Sequence, residues 1–528
     1  MTRATRRRRL PAGLEAAAAA LLDWLADPAA PRLCLVGGGG RRRSAARLLD
    51  WLARQGDRGG AARERAIHAR VPLEGQSALG AAWLLADRLG VVAREPGELV
   101  RILATDPRRT VVVLPGLHQA AEPGPLTELV AALGELGHLR LVVEAPAGTD
   151  VPARLAALRP TVLDLDPERR QPEPPAPVHE LPDLDDPAAV CAADPFAVTA
   201  AYGIGHGGDD HGGDDHGGLR QAWLRAGQSL CRDQTPADRA LVLLAALGDG
   251  ADPRLRPALA ELAAPAPWRV DWARVRGDLT PPWPGPVVAL AVGAGPSAGR
   301  LLAADQLGTV RLLNAEDATP AGLVPAPPAR RARALAALPD GSVLFLDERG
   351  RLHAEHGTQG PSATRRLTEA VAATLARHPG SALAAAEDIV LVGDRMGSVH
   401  AFGLTDVHQA ALHSGRVTAV GVVGTPAPLV HSGGADGTVR AWAPGRAPLA
   451  VPAAERPFPV VALHAAHTPA GVRLAVAWGD GLVELYGSDG GAPLGFRPGP
   501  PVRAVAVTAD GAVVIGMDEA LLRLTPGH

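Results

Sequence analysis

The residues best suited to chemistry come early in this chain. An apolar run at 32–36 leads straight into Gly37-Gly38-Gly39-Gly40-Arg41-Arg42-Arg43-Ser44, and a helical pattern follows. Glycines at a strand-to-helix turn let backbone N–H groups approach an anion at a helix N-terminus. Gly37, Gly40, Arg43 and Ser44 are therefore candidate phosphate-binding residues. Phosphoryl transfer asks for more: a lysine on the phosphates, a carboxylate for Mg²⁺ and a group that orients the attacking water. All 53 basic residues are arginine, so no lysine is available. A second apolar run, Val111-Val112-Val113-Leu114, ends in Pro115-Gly116-Leu117-His118-Gln119-Ala120 without an acid, and a third ends in Glu144-Ala145-Pro146.

These loops need strands and helices to hold them. Strand patterns at 32–36, 66–71, 110–114, 139–144 and 161–165 alternate with helical patterns at 44–54, 77–89, 98–104 and 126–136. Continuous apolar strands separated by helices predict a parallel sheet covered on both faces, an α/β domain. The spacing of the loops on that frame resembles the signal-transduction NTPases of the STAND class. Against the phosphate-loop pattern G-x-x-x-x-G-K-[ST], Gly37 and Ser44 fit, Arg42 stands for the second glycine and Arg43 for the lysine. The 111–120 segment resembles the extended Walker B motif, with Pro115 in place of the Mg²⁺-binding aspartate and His118-Gln119 in place of the later acids. Ala145 stands where an arginine sensor is expected. Arginine is bulkier than lysine and differently hydrated, so that exchange is not conservative at a tight phosphate site. Three motifs keep an apolar frame and lose their charges. The resemblance therefore implies a pseudo-NTPase without catalytic residues, with ATP and Mg²⁺ binding as the alternative reading.

Residues 172–177 are a proline-rich spacer, and 195–264 reads as helical. Between them and the later helices lies a five-residue repeat built on His206, His211 and His216, each separated by Gly-Gly-Asp-Asp. Histidine and aspartate can ligate divalent metals, but paired glycines make closure of such a site costly in entropy. The tract reads as an expanded surface loop, with the three histidines as weak metal candidates.

The C-terminal half repeats. Asp305-Gln306-Leu307-Gly308, Asp347-Glu348-Arg349-Gly350, Asp394-Arg395-Met396-Gly397, Gly434-Ala435-Asp436-Gly437 and Trp478-Gly479-Asp480-Gly481 each precede an alternating strand, and a worn sixth copy spans 517–524. A tight glycine turn with flanking apolar strands, repeated at roughly 40–45 residues, predicts propeller blades. The fourth copy is similar to the WD-repeat family. Its His413, Ser432, Asp436 and Trp442 match that family's hydrogen-bonded tetrad, whose role is structural, while Tyr486 stands at the tryptophan position of the fifth copy. Six blades are detected, with room for a seventh near 268–283. His353, His400 and His464 read as solvated or packed positions on alternating strands.

The chain thus divides into a basic arm and N-terminal helix (1–31), a degenerate P-loop NTPase-like α/β domain (32–170), a proline-rich linker (171–188), a helical domain carrying the histidine tract (189–285) and a WD-repeat-like propeller (286–528). Composition bounds the function. A net charge of −3 argues against general nucleic-acid binding. No apolar run is long enough for a membrane span. The basic start is interrupted by Glu15, Asp23 and Asp27, unlike an export signal. Three dispersed cysteines form no metal or disulfide framework and fit a reducing, cytoplasmic compartment. Absent lysine with abundant alanine, glycine and proline resembles the coding bias of a GC-rich actinobacterium. The expected function is a scaffold or signalling protein that binds protein partners on the propeller face; the alternatives are an ATP-binding switch and a metal-responsive protein.

Overall fold

The computed structural model describes residues 14–37, 42–56, 66–146, 149–165, 182–203, 215–276, 278, 287–324, 331–357, 362–424 and 427–527. They fall into two compact units, Met1–Gly213 and Asp214–His528.

In the first unit, after helix α1 (Glu15–Ala26), five strands form one parallel sheet: β1 (Leu33–Gly37), β2 (Ala69–Arg70), β3 (Thr110–Leu114), β4 (Leu139–Glu144) and β5 (Thr161–Asp164). Their order is β2-β3-β4-β1-β5. Alternating side chains of the central strands supply two cores. Leu33, Leu35, Val112, Leu114, Leu141 and Val143 pack under α3 (Ala78–Leu89), α4 (Pro96–Ala104) and α5 (Pro123–Gly134). Cys34, Val36, Val111, Val113 and Val142 face the other way, against α1 and α2 (Arg42–Gly56). Arg140 at the start of β4 fastens α1: its guanidinium donates to the carbonyls of Trp24 and Asp27 and lies 5.1 Å from the Trp24 ring centre. Burial in this sheet pushes the Cys34 thiol up to about 12, which makes it inert. The short α6 (Val151–Leu155), α7 (Pro187–Ala192) and α8 (Pro195–Gly203) complete the unit. The expected helical domain at 189–285 is therefore divided. Phe196 of α8 comes within reach of Gly80 in α3, so the first helices of that segment belong with the α/β sheet.

The second unit opens with α9 (Leu219–Ala226), α10 (Pro236–Ala246) and α11 (Leu255–Leu262); Thr235 and Asp238 form a capping box that starts α10. A strand, β6 (Trp268–Val275), follows. Six antiparallel blades come next. Blade 1 is β7 (Val287–Val292), β8 (Arg300–Asp305), β9 (Val310–Asn314) and β10 (Pro320–Val324). Blade 2 has three strands, β11 (Ala332–Ala337), β12 (Val343–Asp347) and β13 (Leu352–Glu355), followed by helix α12 (Ser362–Leu375). Blade 3 comprises β14 (Ala382–Ala386), β15 (Ile389–Gly393), β16 (Ser398–Phe402) and β17 (Val407–Ala411); blade 4 comprises β18 (Val417–Val423), β19 (Leu429–Gly434), β20 (Thr438–Trp442) and β21 (Ala454–Glu455). Blade 5 is β22 (Val460–Thr468), β23 (Gly471–Trp478), β24 (Val483–Gly487) and β25 (Leu494–Phe496). Blade 6 is β26 (Val502–Val507), β27 (Val513–Met517) and β28 (Ala520–Pro526) with β6 as its outermost strand.

The first strands of successive blades neighbour one another all the way round, β7 to β11, β14, β18, β22, β26 and back to β7, which closes the ring. Two expectations change here. Among the described residues near 268–283 there is no seventh blade: Trp268–Val275 pairs antiparallel with β28 and completes the sixth. The propeller accordingly begins before residue 286, with a strand that sequence reading had placed in the helical segment. Blade 2 departs in another way, since α12 takes the place of a fourth strand and packs Leu367, Val371 and Leu375 onto Leu344, Leu346 and Leu352.

Candidate functional site

Each unit has one region where polar chemistry gathers. In the α/β unit it is the carboxyl end of the sheet, where open parallel sheets place ligands. Val36 lies opposite Glu144 of β4, and Gly37 lies opposite Asp164 of β5. Gly38 to Arg41, and with them Gly40, fall outside the described residues. Arg43 and Ser44 lie in the first turn of α2, with side chains also outside the described set. Pro115 is buried, and its carbonyl accepts the Leu73 N–H at 2.8 Å. Where the resemblance expects a Mg²⁺ carboxylate there is thus an apolar ring with a spent carbonyl. One acid at this edge went unassigned in the sequence. Glu144 is 6% exposed and its Oε2 accepts the Gly116 N–H at 3.1 Å. The signal was present as a lone carboxylate ending an apolar strand.

His206 and His211 lie outside the described residues, and His216 opens a short turn with φ 51°. Among the described residues no group of three or more His, Cys, Asp and Glu side chains could hold a metal.

In the propeller, the second-to-third-strand turns carry the polar clusters. Gly308, Gly350, Gly397, Gly437 and Gly481 all have φ between 76° and 97°, the left-handed region that glycine enters without steric cost. Three turns share one device. Asp305, Asp347 and Asp394 each accept through Oδ1 from the backbone N–H groups two and four residues on. In two of them the other oxygen holds a histidine on the next strand: His353 Nε2 is 3.0 Å from Asp347 Oδ2, and His400 Nε2 is 3.0 Å from Asp394 Oδ2. These histidines had read as solvated or packed. An aspartate with histidine six residues later, in two successive repeats, was the available signal.

Blade 4 builds its cluster across loops. His413 Nδ1 lies 3.1 Å from Asp436 Oδ1 and 3.0 Å from Thr438 Oγ1, and its Nε2 lies 2.8 Å from Ser432 Oγ. Asp436 also accepts the Ser414 N–H at 2.9 Å. Burial alone would raise the Asp436 carboxyl, but the Ser414 and Thr438 donors and His413 hold it below its usual range. Trp442 does not join this network. Its Nε1 donates to the Arg446 carbonyl at 2.8 Å while its ring fills the blade core, so Thr438 takes the fourth place assigned to the tryptophan. Blade 5 replaces histidine by arginine: Asp480 pairs with Arg456 (3.0 Å) and Arg497 (2.7 Å). There Trp478 and Tyr486 both donate to Glu484 Oε2, at 2.8 and 2.7 Å.

Burial lowers three propeller histidines. It pushes His431, whose Nδ1 has no hydrogen-bond partner, and His464 down to about 4, and it lowers His413 despite the partial opposition of Asp436. All three are neutral when folded and basic when unfolded, so unfolding takes up protons once the pH falls below the ordinary histidine value. Propeller stability should therefore decline between about pH 6.5 and about pH 4, with uptake of roughly three protons on unfolding. Denaturant melts across that range check it. His431→Leu should flatten the decline, and a profile that is level in the wild type would contradict the assignment.

No protein-family model matches this chain, and no curated protein matches it. Among solved structures, the computationally designed Ika8 protein is 18% identical over 45% of this chain and 70% of its own, with a TM-score of 0.30. The WD40 β-propeller domain of Doa1 is 12% identical over 49% of this chain and 97% of its own, with a TM-score of 0.33. Strand pairing defines the class: a parallel α/β unit and a six-bladed β-propeller within one chain. No described helix is long and apolar enough to cross a membrane.

Proposed function

We propose that this chain is a non-catalytic cytoplasmic scaffold or signalling protein of bacterial origin, in which a pseudo-NTPase α/β domain accompanies a propeller that binds a protein partner. The observation that carries the reading is the chemistry of the propeller turns. Their aspartates are consumed in bracing the turns, leaving a rigid face with exposed tips such as Leu307 and Met396, at 67% and 83% exposure. A rigid face with spent polar groups suits recognition better than turnover. Pro115 at the position of the Mg²⁺ carboxylate supports the pseudo-enzyme half.

Two experiments test the two halves. Calorimetry with ATP and ADP, with and without Mg²⁺, should give no measurable heat. Buried Glu144, at the end of the strand beside β1, favours the second reading, a nucleotide-binding switch. Tight Mg²⁺-dependent binding that Glu144→Gln removes would put that reading first. For the propeller, photo-crosslinkers at Met396 and at Leu404, in a turn at the opposite end of blade 3, should trap a protein in cell extract from the Met396 position only. Absence of cross-links at both positions would remove the platform reading.

A further inference from the structure

We propose that Arg333, Arg395 and Arg416 form an anion-recognition surface for an acidic peptide segment of a protein partner, at the mouth of the ring where blades 2, 3 and 4 meet. The inference rests on the partner-binding reading above and gives that partner a chemistry.

The three side chains come from neighbouring parts of one face. Arg333 is the bulged second residue of inner strand β11, exposed between the pairs Ala332–Asp347 and Ala334–Leu346. Arg395 tips the turn of blade 3, and Arg416 immediately precedes inner strand β18. Backbone hydrogen bonds lock the last two together: Val417 N–H donates to the Asp394 carbonyl at 2.9 Å, and His413 N–H donates to that of Gly397 at 3.1 Å. Ser381 at the head of β14 donates its hydroxyl to the Val417 carbonyl at 2.6 Å, which fixes the intervening blade.

Charge at this mouth is uncompensated. Among the described residues none of these three guanidiniums meets a carboxylate, and the Arg416 Nε is buried without a hydrogen-bond partner. Burial lowers Arg416, and the positive charges of Arg333 and Arg395 lower it further. Three of the nearby acids are already spent. Asp394 holds its turn and His400, Asp436 holds His413 and the Ser414 N–H, and Asp347 holds its turn and His353. Four other arginines of the ring do have carboxylate partners: Arg456 and Arg497 with Asp480, Arg503 with Asp518, Arg523 with Asp510. Like charges crowded without a counter-ion are unfavourable alone and favourable around an anion. A carboxylate fits the guanidinium fork. Exposed apolar Met396 beside Arg395, with Leu307 on another turn of the same face, points to a peptide carrying both acidic and apolar side chains.

The test uses the full chain and three fluorescent probes: a peptide alternating Asp or Glu with Leu, its Asn/Gln counterpart, and a single-stranded oligonucleotide of matched charge. The acidic peptide should bind in a salt-sensitive way, about tenfold tighter than its amide counterpart. Arg333→Gln and Arg395→Gln, both at exposed positions, should each weaken it about tenfold while the melting temperature stays level or rises. That rise is what relief of like-charge crowding produces and what loss of a structural residue does not. Equal binding of the two peptides, or tighter binding of the oligonucleotide, would overturn the proposal. Should neither peptide bind while Met396 still cross-links to a protein, the acidic chemistry falls and the platform stands; silence in both removes both.

Discussion

Asp480→Ala should destabilise the propeller by about 3–5 kcal/mol, the cost of breaking a buried ion pair from one side. Asp480 has a side chain 4% exposed, and it faces two arginines that are themselves largely buried, Arg456 and Arg497. Burial would raise its carboxyl; the two guanidiniums more than reverse that and hold it below its usual range. Removing the carboxylate leaves two cations desolvated and facing each other. Arg456 also lies 5.3 Å from the ring centres of both Trp478 and Phe458, so its displacement loosens the blade core. Arg497 carries the effect further, because its carbonyl accepts the Ser229 hydroxyl at 2.7 Å from the segment that follows α9. Denaturant melts followed by tryptophan fluorescence should show the shift, and hydrogen exchange should localise it to blade 5 and residues 226–232. Asp480→Asn, which keeps the shape but not the charge, should cost less. A change in the alanine variant below about 1 kcal/mol would mean that the arginines find solvent when released, as an exposed pair does.

How much of this was legible beforehand follows from the range of the interactions. The turn glycines were readable because a tight turn before an alternating strand needs a residue at positive φ, a requirement local to a few residues. The front sheet was readable for the same kind of reason, since its strands are continuous apolar runs with helical patterns between them. Trp268–Val275 was not. Its partner, Ala520–Pro526, lies at the far end of the chain, and nothing between 268 and 283 repeats the blade pattern. The tetrad was half legible. The WD-repeat resemblance pointed to His413, Ser432 and Asp436, which hydrogen-bond together, whereas the destination of the Trp442 N–H depends on where the loop carbonyl of Arg446 falls. Asp347–His353 and Asp394–His400 were on the page as a repeated spacing, but one aspartate and one histidine six residues apart mean little until a hairpin folds one over the other. Glu144 was visible as a residue and invisible as a buried group, because its acceptor role depends on the neighbouring strand's loop.

Trp272→Ala should be as damaging as the loss of Asp480, by about 3–5 kcal/mol for a fully truncated buried aromatic side chain. The reason is its place at the seam of the ring. Trp272 belongs to β6, the strand that enters blade 6 from the chain before blade 1, yet its ring packs among Val287, Leu290, Leu301 and Leu313 of blade 1 as well as Ala504, Val514 and Leu521 of blade 6. Its Nε1 donates to the Ala315 carbonyl of blade 1 at 3.1 Å. One residue therefore serves the strand ladder of the last blade and the packing of the first. The seam also holds the pairing of β6 with β28, the neighbouring inner strands β26 and β7, and the Arg274 guanidinium on the Asp317 carbonyl at 2.7 Å, and truncation removes the aromatic share of it. Hydrogen exchange should then show protection lost first along β6 and the facing edge of blade 1, with blades 3 and 4 little changed. Trp272→Phe separates the contributions: it retains most of the packing and forfeits one hydrogen bond, worth about 1 kcal/mol. If both variants unfolded uniformly round the ring, with no early opening at the seam, the blades would be cooperating as one unit and the closing strand would carry no special share of the stability.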